Sequence, residues 1–254
     1  MHSLSLQTMM NYFTRILLIP ISFLFLVSGS YGQSDIGIGE WKEHYPYNVG
    51  SWVTQSESHI FYASTVSLLA LNKEDLSPTY YSKLDGLNDV NPKIVNYHNA
   101  LDILFIVYEN SNIDLMTSEG IFNANDIMIN DNILGSKEVN MLRFARDTAF
   151  LATDFGLVSY DLKQQVFGFT CFTDFPVTDF AEWNGRYYMA TENGLYSAPI
   201  QAGFNYAFFG NWTPHKGVNG WPSQYFSKAL CSWNGNLYVD VNDQLYRWNG
   251  SEAV

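Results

Sequence analysis

The stretch 148-TAFLATDFGLVSYDLK-163 indicates the fold class of this chain most clearly. It contains an apolar strand pattern, a short polar turn and a second strand pattern that begins at Leu157. Bulky and small residues alternate through Phe150–Asp154, which is typical of a β-strand. The stretch therefore predicts a β-hairpin that packs face to face with other sheets.

The same hairpin pattern occurs five times along the chain. A further strand pattern precedes the later hairpins, and no helical periodicity lies between the repeats. A repeat of roughly 40–50 residues with three or four antiparallel strands is typical of a β-propeller blade, whereas β-helix coils are shorter and helical repeats have other periods. The first apolar residues past the turns follow one another at steps of 45, 44, 38 and 50 residues: Leu68, Ile113, Leu157, Leu195 and Leu245.

Two of the repeats contain the same tight turn. Asn184-Gly185 and Asn234-Gly235 each follow a tryptophan and separate two strand patterns. Asn and Gly tolerate the positive φ values that a two-residue type I′ hairpin requires. We therefore expect two-residue loops between antiparallel strands at both places.

The fold class predicted from the repeats is all-β, a β-propeller of four-stranded antiparallel blades. Five repeats fit between Trp52 and Trp248, and a blade-like motif is still running at Gly250. Because a closed ring leaves no exposed sheet edges, the pattern predicts an incomplete ring, about five blades of six or seven, with seven favoured. Residues 33–254 are then a partial N-terminal propeller, truncated before ring closure, and Gly39–Val49 is a candidate strand for completing the last blade.

The first 32 residues have the organisation of a secretory signal peptide. Arg15 precedes an apolar run, Ile16–Val27, and small residues follow before a predicted cleavage site near Gly32–Gln33. Twelve residues span roughly 18 Å as a helix, less than the roughly 30 Å hydrocarbon core of a bilayer. No cysteine follows the run directly, which excludes a lipoprotein anchor. We predict an exported protein with no transmembrane segment in the mature chain.

The composition excludes several classes of protein. Hydrophobic residues make up 47% and charged residues only 15% of the 254-residue chain, which is unlike a disordered protein. The chain has 13 Lys+Arg against 25 Asp+Glu, a formal net charge of −12. Such a surface repels phosphate backbones, so no nucleic-acid partner is expected.

The sequence contains no motif that indicates catalysis. Patterns such as His-Glu-x-x-His, Cys-x-x-Cys and Gly-x-Ser-x-Gly are absent, as is a phosphate-binding loop. We therefore predict that the protein is not an enzyme and has no catalytic residues, no cofactor and no metal site, while its ligand-binding residues stay unassigned. The histidines beyond the leader are dispersed over the repeats and are expected on the surface or in turns: His44, His59, His98 and His215.

Several acidic residues are candidates for a carboxylate pair of the glycosidase type. Most lie beside Gly or Asn in turns, where an Asp side chain stabilises the turn itself. The run Asn123–Asn132 also lacks the Asp-x-Asp-x-Asp-Gly spacing of a calcium loop. The structural interpretation is therefore favoured for all of them: Asp85, Asp89, Asp126, Asp131 and Asp154.

Cys171 and Cys231 lie in the strand patterns of different repeats. An oxidising compartment permits a disulfide, but strands of neighbouring blades rarely reach the roughly 5.5 Å Cα separation that it needs. Buried free thiols are therefore favoured.

Four aromatic side chains of the later repeats have two possible roles. They either fill the wedges between blades, which is favoured, or form a sugar-stacking surface: Trp183, Trp233, Tyr187 and Tyr238.

Several segments resemble known propeller families. Residues 81–96, YSKLDGLNDVNPKIVN, are similar to the repeats of two-component-regulator propellers. The segments IGEWKEHYPYN, YENSNIDLMT, IFNANDIM, GSKEVNM and 148–163 resemble the N-terminal propeller of the PorZ family. This resemblance covers roughly residues 38–170, and PorZ is a cell-surface component of the bacterial type IX secretion system.

The resemblance implies a binding or scaffold role in a type IX attachment complex. In that family the expected activity is to bind anionic lipopolysaccharide and present it to a surface sortase, which attaches it to secreted cargo. The implied partners are the sortase, other attachment-complex proteins and the lipopolysaccharide, and a second propeller and a C-terminal β-domain are expected beyond the first propeller. A net charge of −12 opposes an anionic ligand, so a local basic patch, divalent cations or another domain must compensate.

An alternative function follows from the broader resemblance. A periplasmic glycan-sensing propeller of a two-component regulator has the same kind of repeat. A hydrolytic function needs two carboxylates about 5–10 Å apart on one face, and it ranks last.

Overall fold

The computed structural model describes residues 47–254, so the predicted signal peptide and most of the Gly39–Val49 strand lie outside the described residues. Tyr47 is described and is not part of a strand. Its carbonyl accepts a hydrogen bond from the Tyr62 hydroxyl at 3.1 Å, and its ring lies against Tyr80. This end of the described chain therefore packs on the first sheet.

Five antiparallel sheets follow one another along the chain, and each is a meander whose strand order is the chain order. Blade 1 consists of β1 (Gly50–Gln55), β2 (His59–Ser64), β3 (Leu68–Asn72) and β4 (Pro78–Tyr81). Blade 2 consists of β5 (Pro92–His98), β6 (Ile103–Tyr108), β7 (Ile113–Thr117) and β8 (Gly120–Asn123). Blade 3 consists of β9 (Val139–Ala145), β10 (Thr148–Thr153), β11 (Gly156–Asp161) and β12 (Val166–Phe172).

The last two blades depart from the regular four-stranded form. Blade 4 has a short outer strand: β13 (Val177–Trp183), β14 (Arg186–Thr191), β15 (Gly194–Pro199) and β16 (Thr213–His215). Blade 5 has three strands: β17 (Leu230–Trp233), β18 (Asn236–Val241) and β19 (Gln244–Trp248). Helical structure in the described part consists of α1 (Asp126–Ile129) and two 3₁₀ turns (Lys83–Asp85 and Phe209–Asn211).

The predicted repeat and turns are confirmed. Each of the five marker residues is the first or second residue of the third strand of its blade. At both Asn-Gly turns the two residues have positive φ, 47° and 70° at Asn184 and Gly185 and 46° and 75° at Asn234 and Gly235. These values match a type I′ turn. The all-β propeller class is therefore correct, and the described residues do not close a ring.

The core lies between blades rather than within them. Four clusters of buried apolar side chains each join the facing sides of two successive blades. The rings of Phe150 in blade 3 and Phe180 in blade 4, for example, stack with centroids 4.0 Å apart. Because each large side chain contributes roughly 1.5–3 kcal/mol when it is fully buried, packing against a neighbour is what stabilises each blade.

A second set of contacts joins the innermost strands. The innermost strand of each blade is its first strand. In blades 1 to 4 this strand has a register shift near its start, and bulges of this kind re-aim a side chain. The re-aimed side chain donates to a carbonyl of the next blade. The four bonds are Ser51 Oγ to Pro92, Lys93 Nζ to Val139, Asn140 Nδ2 to Val177 and Thr178 Oγ1 to Ser227.

The fifth blade has no following neighbour among the described residues. Lys228 occupies the position of Thr178, but its Nζ pairs with Asp243 within blade 5. The outer face of this blade exposes Trp233 (67%) and Leu245 (74%). The open side of blade 5 therefore carries two exposed large apolar side chains.

Candidate functional site

A solvent-open cleft lies beside the hairpin loop that joins β10 and β11. Three separate segments form it: residues 132–136 before blade 3, the hairpin residues 154–155, and residues 172–176, which comprise the last residue of β12 and the connection to blade 4. Its volume is about 570 Å³, within the roughly 300–1,000 Å³ range of ligand pockets. The cleft is therefore large enough for a small ligand or a short peptide segment.

The lining combines apolar and acidic side chains. Leu134 is 89% exposed and Phe172 is 58% exposed, whereas Phe155 lies buried beneath Phe172 with the ring centroids 6.0 Å apart. Two carboxylates, Asp154 and Asp174, face the same cleft, and no basic side chain lines it. The remaining lining residues are Asn132, Ile133, Ser136, Thr173 and Pro176.

Backbone hydrogen bonds hold the walls of the cleft together. The Asp154 amide donates to the Glu138 carbonyl at 3.0 Å, and the Thr173 amide donates to the Phe155 carbonyl at 3.1 Å. The Asp154 carboxylate also accepts a bond from Asn140 Nδ2 at 2.9 Å. These bonds join the hairpin between β10 and β11 to the connections before and after blade 3.

From the sequence, Asp154 is a candidate glycosidase-type carboxylate for which a turn role is favoured, and no pattern indicates the other cleft residues. Each of the three segments is an ordinary loop when it is read alone. The cleft exists because two blade-to-blade connections approach one hairpin, and no local pattern records that approach.

The other acidic candidates have structural roles or lie on the surface. Asp85 accepts bonds from the backbone and hydroxyl of Ser82 and caps a 3₁₀ turn. Asp89 accepts a hydrogen bond from the side-chain Nδ2 of Asn110 at 2.5 Å. Two candidates are exposed, namely Asp126 in the first turn of α1 and Asp131 in the loop that follows. In the described residues, no group of three or more His, Cys, Asp or Glu side chains is arranged to hold a metal ion.

The histidine prediction is wrong for His98, whereas His215 is half-buried and His44 lies outside the described residues. His98 is buried, with Nε2 2.7 Å from the Arg146 carbonyl and Nδ1 accepting from the Leu101 amide. His215 packs among aromatic rings, with Nε2 2.8 Å from Ser197 Oγ. Both join elements that are distant in sequence, which is why their burial could not be read locally. His59 is only half-buried and lies beside Ser58.

His215 lies at the contact between blades 4 and 5. Its ring lies near Tyr188, Trp221 and Trp248. Burial, and secondarily the charge of Arg186, lowers its pKa to about 4. The folded protein therefore keeps this ring neutral at pH values where the unfolded chain already binds a proton.

We expect the free energy of unfolding to fall as the pH decreases from about 6.5 to 4, with His215 contributing up to about 3 kcal/mol. The depressed pKa means that stability is fully present above pH 6.5 and is lost through pH 4. Urea unfolding of the parent and of His215→Phe at pH 7 and pH 4.5 measures this contribution. A pH dependence as steep in His215→Phe as in the parent contradicts the assignment, and His59→Gln is the control.

Both cysteines are free, as predicted, but only one is buried. Burial raises the pKa of the Cys171 thiol to about 12. The expectation of a buried Cys231 is wrong, because this residue lies on the open face of blade 5. No blade covers that face among the described residues.

The wedge-filling prediction holds for two of the four aromatic side chains. Tyr187 packs in the cluster between blades 3 and 4, and Trp183 packs against the cluster between blades 4 and 5. Trp233 is 67% exposed, and its ring lies 6.2 Å from that of Tyr238, on the open face of blade 5. These two rings fill no wedge in the described structure.

The five successive antiparallel sheets are those of a β-propeller domain. The cleft beside the β10–β11 hairpin is called the loop-face cleft below. The family described as TSS9, PorZ, N-terminal beta-propeller domain matches residues 60–213, which is more than half of the chain. The chain therefore belongs to the PorZ N-terminal β-propeller family, as the resemblance indicated. In the described residues, no helix is long and apolar enough to cross a membrane.

Solved structures share this fold at low sequence identity. PorZ of Porphyromonas gingivalis, described as an essential bacterial surface component of the type-IX secretion system, is 22% identical, with a TM-score of 0.72 over 81% of this chain. The extracellular domain of BT4673 from B. thetaiotaomicron, described as a one component system, is 13% identical with a TM-score of 0.62 over 82% of this chain. The chain spans only 28% of the length of each of these two proteins. No curated protein sequence is significantly similar to it.

Proposed function

We propose that this chain is the N-terminal propeller of a non-catalytic scaffold component of a type IX secretion attachment complex. In this function the protein is exported through a cleaved signal peptide, residues 1–32, and acts in the periplasm and then at the outer-membrane surface. It binds anionic lipopolysaccharide and presents it to the surface sortase for attachment to cargo. The observation that carries the proposal is the family match over residues 60–213.

The charge of the chain constrains how lipopolysaccharide binds. Of the five ion pairs among the described residues, four link side chains that are both at least 28% exposed, and these pairs occupy basic residues that an anionic ligand needs. With a net charge of −12, long-range attraction of an anion is unfavourable. Bridging divalent cations or residues outside the described part are therefore part of the proposal.

Calorimetric titration of the full-length secreted protein with purified anionic lipopolysaccharide tests this function. We expect saturable binding to the anionic form, at least tenfold weaker binding to a neutral lipopolysaccharide, and loss of affinity when EDTA removes divalent cations. Equal affinity for the two lipopolysaccharides, or no binding to either, contradicts the lipopolysaccharide role.

A second candidate function is a periplasmic glycan-sensing propeller of a regulator. It is favoured by the similarity to the extracellular domain of BT4673, at a TM-score of 0.62. Deletion of the gene separates the two functions. Loss of surface-attached cargo supports the secretion role, whereas unchanged cargo with altered expression of glycan-utilisation genes supports the sensor.

A further inference from the structure

The loop-face cleft has a chemistry that does not suit an anionic glycan. Asp154 and Asp174 are the charged groups that line it. In the described part of the chain, neither carboxylate takes part in an ion pair. A ligand that enters the cleft therefore meets uncompensated negative charge beside apolar surface, and this favours a cation.

The cleft also has an exposed apolar side. Leu134 and Phe172 are among the more exposed large apolar side chains of the described residues. Exposed apolar groups rimmed by polar residues mark interaction sites. An aliphatic side chain such as Leu134 offers no flat face for stacking on a sugar, but it packs well against an apolar side chain of a peptide.

We propose that this cleft is a docking site for a partner protein, which inserts a short segment carrying arginine or lysine beside a large apolar residue. The cation lies between Asp154 and Asp174, and the apolar side chain packs on Phe172 and Leu134. The hydrogen-bonded walls hold this arrangement before the partner arrives. The site lies entirely within residues 60–213, the part that matches the family, and the inference does not depend on lipopolysaccharide binding.

Selection from a phage-displayed random heptapeptide library on the full chain tests the proposal. The expected result is enrichment of peptides in which Arg or Lys is adjacent to Leu, Phe or Met. Asp174→Asn is expected to reduce the preference for a cation about threefold, and Asp154→Asn with Asp174→Asn about tenfold. Among the described residues, the Asp174 side chain has no ion-pair partner that the first variant would remove. Phe172→Ala and Leu134→Ala are expected to reduce the apolar preference instead.

Glu119→Gln is the matched control, because Glu119 is an exposed acid in the β7–β8 hairpin of blade 2. The β6–β7 connection of that blade corresponds to the β10–β11 hairpin beside the cleft, and Glu119 lies at the opposite end of its blade from that connection. This variant is expected to retain the preferences of the parent. Selected peptides without a cation, or a cation preference that survives neutralisation of both carboxylates, overturn the proposal. A change in lipopolysaccharide affinity caused by Phe172→Ala or Asp174→Asn also overturns it, because the cleft is then a glycan site. Failure of lipopolysaccharide binding alone leaves the peptide result unaffected, so the two proposals fail separately.

Discussion

Asp179→Ala is expected to lower the free energy of unfolding by about 3–5 kcal/mol, the range for breaking a buried charge pair. Asp179 is fully buried, and Arg143 donates to both of its oxygens at 2.9 and 3.0 Å. The same carboxylate accepts from the Phe180 and Leu230 amides, each at 2.8 Å. One side chain thus joins the innermost strands of blades 3, 4 and 5.

The expected loss of stability in Asp179→Ala follows from the hydrogen-bond donors that remain without an acceptor. Without the carboxylate, the buried Leu230 and Phe180 amides have no acceptor, and each unsatisfied donor costs roughly 1–3 kcal/mol. The Arg143 side chain is 41% exposed, so part of its charge is rehydrated. Its hydrogen bond with Asp179, the main cause of its raised pKa, is lost.

Glu182→Ala is a closely matched control. Glu182 lies three residues further along β13 and pairs with Arg146, just beyond the end of β9, at 2.9 Å, but the two side chains are 30% and 65% exposed. An exposed pair of this kind contributes about 0–1 kcal/mol. Urea unfolding of both variants measures the difference, and a similar loss of stability in the two contradicts the role of Asp179 as the link between three blades.

Asp114→Ala is expected to lower the free energy of unfolding by about 3 kcal/mol through a different mechanism. Asp114 is fully buried and takes part in no ion pair among the described residues. Four neutral donors satisfy it instead: the Asn88 amide and side chain, the Tyr108 hydroxyl at 2.6 Å and the Asn123 side chain. Burial and the hydrogen bond to Asp114 raise the pKa of Tyr108.

The bonds of Asp114 tie the connection between blades 1 and 2 to the middle of blade 2. We therefore expect faster hydrogen exchange at the Asn88 amide in Asp114→Ala, together with a lower urea midpoint. Tyr108→Phe removes one donor only and is expected to cost about 1 kcal/mol. Asp131→Ala is the control, because Asp131 is exposed in a loop. Protection of Asn88 that is unchanged in Asp114→Ala contradicts this role.

Local sequence patterns predict the structure of a single blade. Alternating apolar residues, Asn-Gly turns and the spacing of Leu68, Ile113, Leu157, Leu195 and Leu245 all act within one meander. Strand formation and turn geometry depend on residues that are close along the chain. For this reason the five repeats and both type I′ turns were predictable from the sequence.

Which polar side chains are buried, and which distant residues meet, follows from the tertiary structure. No local pattern marks Asp114 or Asp179, yet both are completely buried, because most of their donors lie in other strands, connections or blades. Trp233 reads as a wedge residue, yet it is exposed. The cleft needs segments 132–136, 154–155 and 172–176 together. Burial and site geometry depend on the neighbouring blade, and the contacts between blades join residues about 40 positions apart, a separation that no local pattern encodes.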